Sequence, residues 1–253
     1  MNAVCRRLKP LASALTAVSL LAAPVAEAMT VQPVVIDLST AGRAMGDVII
    51  VENTFDRPLA VELSVQALEL GEDQIRPTGE DTGELAVFPP QASIQPGERQ
   101  NFRVQYVGDP ALSESRHFFV TVAQLPVQEV TGQSNIQLLY NFQVLVSVAP
   151  TGAGPAITVA ATEIGQNDEG QPVPVITARN SSASHGYLSR GRLQVVQQDA
   201  GGAEIFRRDM TGPEIQQSLG YGLIGGGQTR RVTLPVPLPS AEGTVSVRFS
   251  ADS

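Results

Sequence analysis

The chain has 253 residues and a formal net charge of −8, with one cysteine, two histidines and no tryptophan. An acidic chain does not suit the phosphate backbone of nucleic acid, so this composition argues against a DNA- or RNA-binding function. A chain of this length has room for two domains of ordinary size.

Residues 1–28 have the pattern of a secretory signal peptide. Two arginines and a lysine precede an apolar run at residues 11–23, and Ala26-Glu27-Ala28 supplies the small residues that signal peptidase requires. The run is shorter than the ~20 residues that a membrane span needs, which disfavours the alternative of a membrane anchor. We therefore predict cleavage after Ala28, a periplasmic location and no stable membrane insertion.

Cleavage at this site changes the chemistry of the remaining chain. It removes three cations and one anion, so the formal charge falls by two, from −8 to −10. It also removes Cys5 and Lys9, which are the only cysteine and the only lysine of the sequence. The exported chain is therefore predicted to have no disulfide, and all of its positive side chains are arginines.

The first part of the exported chain, residues 29–150, shows short strands that alternate with turns. Pro33 places the first strand at a sheet edge or a bulge, and residues 71–83 form an acidic hairpin. A spacing of about 8–12 residues between strands is typical of an immunoglobulin-like sandwich. The strands are predicted at residues 31–38, 47–53, 59–70, 86–88, 93–95, 100–107, 118–125 and 135–150.

The last of these strands, residues 135–150, is unusually long and contains no charged residue. Apolar or aromatic side chains recur at every second position from Ile136 to Val148, which gives the strand one strongly hydrophobic face. A strand of this kind is an aggregation hazard if it lies unpaired at a sheet edge. It therefore either belongs to a core or pairs with another chain, and the pattern alone leaves both alternatives open.

A linker at residues 151–155 precedes a second series of strands. These are predicted at residues 157–163, 173–180, 187–197, 204–209, 229–236 and 243–251, with one helical turn at residues 212–219. The sequence thus predicts an all-β protein with two immunoglobulin-like β-sandwich domains, residues 29–150 and 151–253. A short hinge joins them, so a boomerang shape is expected.

No sequence pattern indicates catalysis or metal binding. His117 falls in a strand and His185 in a loop, without the spacing of a metal site or the nucleophile turn of a hydrolase. The glycine-rich residues 220–227 lack the lysine of a phosphate loop, and the acidic hairpin lacks the register of a calcium loop. We therefore predict neither an enzyme nor a bound metal or cofactor.

Local motifs spread over the whole exported chain form a recognisable set. They are Val31-Gln32-Pro33 with Ile36, Val51-Glu52-Asn53 with Arg57-Pro58, Phe88-Pro89-Pro90 with Ile94 and Pro96-Gly97-Glu98, Arg103, residues 118–126, Ala178-Arg179-Asn180 and Arg230-Arg231-Val232. As a set they resemble the periplasmic chaperones of the chaperone–usher pilus pathway, the PapD-like proteins. The ending Leu125-Pro126-Val127 looks closer to the branch that serves the archaic usher systems.

The resemblance implies a mechanism for the long strand. The family donates this strand to a pilus subunit that lacks its own last strand, and the alternating side chains fill the open groove of the subunit. On this sequence the donor face corresponds to Ile136, Leu138, Tyr140 and Phe142. The expected partners are pilus or fimbrial subunits and an outer-membrane usher. A self-capping dimer through the exposed strand is a further hypothesis.

The resemblance also implies a cleft in which an arginine and a lysine grip the terminal carboxylate of the subunit. In this sequence the two positions hold Val35 and Leu145, and the exported chain has no lysine to replace the second. Desolvating a carboxylate without a cation is costly. Three alternatives stay open: another arginine, amide side chains, or anchoring by the strand alone. The candidate replacements are Arg43, Asn141, Gln143, Arg179, Arg190 and Arg192.

A secreted binding or scaffold protein of the same fold is the main alternative to a chaperone. In that case the long strand is part of the core, and the free protein should not dimerise or aggregate through it.

Overall fold

The protein is described by a computed structural model that covers residues 29–126, 138–152 and 154–252. The predicted signal peptide, residues 1–28, and Ile136 of the predicted donor face lie outside the described residues. The described chain folds into two all-β domains, as the sequence predicts.

In chain order, the strands of the first domain follow the predicted pattern closely. They are β1 (Met29–Gln32), β2 (Val35–Ser39), β3 (Gly46–Asn53), β4 (Leu59–Leu70), β5 (Ile75–Pro77), β6 (Leu85–Phe88), β7 (Gln91–Ile94), β8 (Arg99–Tyr106), β9 (Arg116–Gln124) and β10 (Asn141–Ala149). One sheet has the order β1-β3-β8-β6. The other has the order β2-β10-β9-β4-β5, and β7 also pairs with β4.

The two sheets enclose one hydrophobic core because their strands alternate between buried and exposed side chains. In β8, for example, Phe102, Val104 and Tyr106 have no exposed surface, whereas Arg103 between them points to solvent. Phe118, Val120 and Val122 of β9 are equally buried. The period-two pattern of the sequence is therefore the pattern of burial in this domain.

The chain changes sheets between β1 and β2, at Pro33 and Val34. β1 pairs antiparallel with β3 in one sheet, and β2 pairs parallel with β10 in the other. The sequence predicted one continuous strand at residues 31–38 with a bulge or an edge position. That prediction was wrong about continuity, because a proline that lacks an N–H allows the chain to leave one sheet and enter the next.

The second domain contains the remaining elements. They are β11 (Ile157–Gln166), β12 (Pro172–Asn180), β13 (Gly186–Tyr187), β14 (Gly191–Gln198), β15 (Glu204–Met210), α1 (Gly212–Leu219), β16 (Leu223–Ile224), β17 (Thr229–Thr233) and β18 (Thr244–Ala251). Two three-stranded sheets, β11-β12-β17 and β15-β14-β18, pack around a second core, and β13 pairs with β16.

Some details of the second domain differ from the sequence prediction, such as the short strand β16, which was not predicted. The strand predicted at residues 187–197 is interrupted by a 3₁₀ turn at Leu188–Arg190, which separates β13 from β14. The strand predicted at residues 229–236 ends at Thr233. The predicted helical turn at residues 212–219 is confirmed as α1, where the Glu214 carboxylate accepts a hydrogen bond from the Thr211 N–H at 2.7 Å.

Within the described residues, each domain contains one buried asparagine that joins the end of a strand to neighbouring loops. The Asn53 side chain donates to the carbonyls of Arg57 and Ile94, both at 2.8 Å, and accepts a hydrogen bond from the Phe55 N–H. In the second domain, Asn180 donates to three carbonyls in the same manner. Asn53 and Asn180 are the last residues of the motifs Val51-Glu52-Asn53 and Ala178-Arg179-Asn180. Their hydrogen bonds give both motifs a structural explanation.

Replacing Asn53 with alanine should lower the free energy of unfolding by about 3 kcal/mol, because two carbonyls and one N–H lose their partner in the interior. Urea unfolding followed by circular dichroism measures this change. Asn101→Ala on the exposed face of β8 is the matched control and should stay within about 0.5 kcal/mol of the parent. Equal effects of the two substitutions would contradict the structural role of Asn53.

Candidate functional site

Strand β10 has an open edge over its first half. β9 pairs with residues Asn141 to Val148, but β2 pairs only with the last five residues of β10, from Leu145 to Ala149. Among the described residues, residues 141–144 therefore have a neighbouring strand on one side only. The N–H and C=O groups on the other side meet no strand of this part of the chain, which is the geometry that accepts an added strand.

Two hydrogen bonds identify the backbone groups that face this open edge. The Gln124 N–H donates to the Tyr140 carbonyl on the β9 side, and the Leu145 N–H donates to the Val34 carbonyl on the β2 side. Because backbone groups alternate along a strand, even-numbered residues of this segment face β9. The N–H and C=O of Asn141 and Gln143 consequently point to the open edge.

The side chains of the predicted donor face differ in their surroundings. Val144, Val146 and Val148 are fully buried, and Tyr140 and Phe142 on the same face pack partly against the core of the first domain. Leu138 is 70% exposed. The sequence predicted a strand from residue 135, but residues 138–140 precede β10, because the ladder with β9 begins only at Asn141.

The end of the open edge lies in a cleft between the domains. Val35 of β2 lies directly opposite Leu145 of β10 in the strand register, so the two substituted anchor positions are neighbours. A cavity of about 390 Å³ opens beside them. Its lining is mostly apolar and comes from both domains: Val34, Val35, Ile75, Phe119, Gln143, Leu145, Leu219, Tyr221, Gly222, Leu223, Arg230 and Val232.

The cation in this cavity is Arg230, which the sequence analysis did not select as a candidate. Its Nη1 donates to the Leu223 carbonyl at 2.6 Å. The adjacent Arg231 points the other way and pairs with Glu163. Arg230 and Val232 lie two residues apart on β17, so they share one face of the strand. This apolar neighbour on the same face is the sequence signal that could have identified Arg230.

The six proposed replacement anchors occupy different surroundings. Gln143 lines the cavity, and Asn141 lies two residues earlier on the same strand face. Arg190 pairs with Asp37, and Arg192 pairs with Asp252 at 3.7 Å. Arg179 is exposed on β12, and Arg43 lies in the 3₁₀ turn Gly42–Met45. Of the six, only Gln143 lines this cavity.

The two domains are joined by a polar network around Asp37 of β2. His185 Nε2 and the Tyr187 hydroxyl lie 2.8 and 2.7 Å from Asp37 Oδ1, and the Arg190 guanidinium donates to Oδ2. Arg190 also lies over the Tyr187 ring, 4.5 Å from its centroid. Burial acts to raise the pKa of Asp37, but the hydrogen bonds from its three partners outweigh it and hold the pKa well below its usual range.

The two histidines meet in this network, although their sequence spacing suggested two isolated residues. Their rings lie 5.4 Å apart in an edge contact, and His117 Nδ1 lies 2.9 Å from the Ser147 hydroxyl. Burial lowers the pKa of His117 to about 3, and His185 adds to that effect. His117 is therefore neutral at physiological pH. Nothing in the described residues groups three His, Cys, Asp or Glu side chains as a metal site.

A family comparison assigns the chain to a class of proteins. Residues 29–153 match the family described as pili and flagellar-assembly chaperone, PapD N-terminal domain. The first domain therefore belongs to this family, which confirms the resemblance to the PapD-like pilus-assembly chaperones inferred from the motifs of the chain. A comparison with curated proteins found no match. In the described residues no helix has the length and apolar character of a membrane span.

Solved structures extend this similarity over both domains. The chain is similar to a chain of the CsuC–CsuE chaperone–tip adhesion subunit pre-assembly complex from the archaic Csu pili of Acinetobacter baumannii, at 10% identity and a TM-score of 0.52, covering 87% of this chain and 97% of that chain. It is similar to the class 5 fimbriae chaperone CfaA at 9% identity and a TM-score of 0.51, covering 87% and 98%.

A third relative is the YadV chaperone, at 13% identity and a TM-score of 0.53, covering 87% of this chain and 91% of that chain. At these identities the likeness shows the shared fold. The TM-scores of the three structures are nearly equal, so they do not favour the archaic branch over the others. The assignment to that branch stays a prediction from the sequence.

Acidification should destabilise the protein through His117. The ordinary pKa of histidine is ~6.5, whereas the pKa of His117 in the folded protein is about 3. At a pH between these two values, His117 binds a proton in the unfolded chain but not in the folded protein. Stability is therefore lost as the pH falls from about 6.5 to 3. His117→Gln cannot ionise, so its free energy of unfolding should fall less steeply over this window. Parallel pH profiles of parent and variant, measured by urea unfolding, would contradict this role.

Proposed function

We propose that the protein is a periplasmic chaperone that binds pilus subunits by donating β10 and the segment before it as an added strand. It then delivers the bound subunit to an outer-membrane usher. The open edge of β10 is the observation that carries this proposal. Membership in the PapD-like family supports the general role, while the pairing mode, the usher and the location belong to the proposal.

The chemistry of the edge supports strand donation. Asn141 and Gln143 offer backbone groups along the edge that no strand of the described residues pairs with, and Leu138 offers an exposed apolar side chain just before it. A subunit strand that pairs here gains backbone hydrogen bonds and covers apolar surface at the same time. Fully burying one large apolar side chain contributes roughly 1.5–3 kcal/mol. A few such contacts hold a subunit and still permit its exchange.

A scaffold protein of the same fold is the second candidate. It would use the core-facing side chains of β10 only for its own packing, and Tyr140 and Phe142 do pack partly against the core of the first domain. The exposure of Leu138, and also of Leu139 at 45%, favours the chaperone, because a scaffold has no use for an uncovered apolar segment beside an open edge. Without a bound subunit, a second copy of the chaperone would cover this exposed segment, which would give the self-capping dimer.

Gln143→Pro should prevent formation of the complex with a pilus subunit. Proline removes the N–H that faces the open edge, whereas the hydrogen bonds to β9 come from the even-numbered residues on either side. The measurement is co-purification after co-expression with a pilus subunit in a bacterial periplasm. We expect a one-to-one complex for the parent and none for the variant.

Gln143→Thr is the matched control, because it changes the side chain and keeps the N–H. It should retain the complex, and circular dichroism should show that both variants are folded. A stable complex with Gln143→Pro would rule out strand pairing at this edge. If no subunit binds the parent protein, the scaffold reading is favoured.

Leu138→Asp should weaken the complex about 10- to 100-fold, because burying a carboxylate in an apolar groove is unfavourable. Leu138 is largely exposed, so the free protein should keep its melting temperature. Ile205→Asp serves as the control, since Ile205 is an exposed apolar residue of the second domain, at 42% exposure. Titration calorimetry measures both affinities, and equal affinities would contradict a donor role for Leu138.

A further inference from the structure

Gln124 is a polar side chain at a position where the pattern of its strand requires an apolar one. It follows Phe118, Val120 and Val122 on the inner face of β9, and only 7% of its surface is exposed. An amide buried in such a row is unfavourable unless it finds a hydrogen-bond partner. A valine or leucine would fill the same space without that requirement, so the partner of Gln124 indicates what the residue does.

That partner is the backbone of Tyr140, the residue before β10. The register that places Asn141 opposite Ala123 continues to Tyr140 opposite Gln124. The Gln124 N–H donates to the Tyr140 carbonyl at 2.9 Å, and the Tyr140 N–H donates to the side-chain Oε1 of Gln124 at 3.3 Å. In a regular antiparallel pair both acceptors are main-chain carbonyls. Here the glutamine side chain replaces one of them, so Tyr140 is held one residue beyond the end of the ladder.

The ring of Tyr140 has a second support in the loop after β3. The Phe55 ring lies 6.2 Å from it between centroids, at an interplanar angle of 45°. Phe55 is itself fixed, because it is buried, its N–H donates to Asn53 Oδ1 at 2.9 Å, and the Arg57 guanidinium lies 5.6 Å from its ring centroid. The backbone and the side chain of Tyr140 are therefore both held by the first domain.

Holding Tyr140 lengthens the part of the chain that can receive an added strand. Because backbone groups alternate along an extended chain, the groups of Leu139 point the same way as those of Asn141 and Gln143, toward the open edge. An added strand then meets three residues with fixed direction, where the ladder alone would fix two. A segment that is ordered before binding loses less conformational entropy when the partner arrives.

We propose that Gln124, together with Phe55, is a positioning residue that holds Tyr140 in its subunit-binding conformation before a subunit arrives. The proposal rests on the proposed function and adds the residues that prepare the start of the donor segment. Gln124 acts through Tyr140 and lies on the inner face of β9, so it needs no contact with the subunit.

Hydrogen exchange of the free protein tests the first half of this proposal. Gln124→Met keeps the length of the side chain and removes the acceptor, so the Tyr140 amide should exchange about 10-fold faster than in the parent. The Val144 amide, which lies in the ladder, should be unchanged. Phe55→Leu removes the ring contact and should also speed exchange at Tyr140.

Competition between variant and parent for a pilus subunit tests the second half. The probe is the subunit that co-purifies with the parent protein. Gln124→Met should bind it about 3- to 10-fold more weakly, which is the effect of losing one neutral hydrogen bond and ordering one more residue on binding. Gln105→Met, the same substitution at a half-buried position of β8, is the matched control and should bind like the parent.

A double-mutant cycle separates positioning from general stability. The melting temperature of Gln124→Met should stay close to that of the parent, because methionine fills a similar volume. If Gln124 acts by ordering the donor segment, its substitution should cost little further affinity in a Leu138→Asp background, where that segment no longer enters the groove. A stability effect would instead be additive.

The outcomes distinguish this proposal from the proposed function. Equal exchange of the Tyr140 amide in the parent and Gln124→Met would overturn the positioning role. Faster exchange with unchanged affinity, or additive effects in the cycle, would also overturn it and leave strand donation standing. If the parent binds no subunit, the proposed function fails and the positioning role fails with it.

Discussion

The architecture of the candidate site depends on one constraint: β2 covers only the second half of β10. The chain leaves the first sheet at Pro33, and it joins β10 from Leu145 onward. A longer β2 would close the edge and leave no place for another strand. A shorter β2 would leave the whole edge of β10 without a neighbouring strand, including the part whose side chains are fully buried. The start of β2 therefore sets both the length of the open edge and the position where it ends.

The same strand holds the two domains together. Asp37 of β2 binds His185, Tyr187 and Arg190 of the second domain, only two residues after the cleft position Val35. The backbone adds a contact on the far side, where the Arg231 N–H donates to the Glu72 carbonyl at 2.8 Å. The β4–β5 hairpin thus contacts β17, and the cavity that contains Arg230 forms between these fixed contacts. The position of the cation relative to the open edge consequently depends on interactions that lie outside the edge itself.

Local patterns predicted the strands well and the tertiary contacts poorly, for identifiable reasons. The bounds of β4 follow from alternation alone, because half-buried strands must repeat with period two. The break at Pro33 was missed, since an edge proline and a change of sheet leave the same local pattern. Asp37 and His185 are 148 residues apart, so no spacing rule reveals their contact. Arg230 and Arg231 are adjacent residues with the same charge. Only the alternation of side chains along β17 distinguishes Arg230, which lies in the cleft, from Arg231.

Amide hydrogen exchange of the protein with and without its subunit tests the central claim most directly. The Asn141 and Gln143 amides face the open edge, so they should exchange quickly in the free protein and slowly in the complex. The Val144 and Val146 amides lie in the ladder with β9 and should be protected in both states. Slowed exchange at residues 141 and 143 is the result that strand donation predicts. Unchanged exchange at both residues in a saturated complex would contradict it.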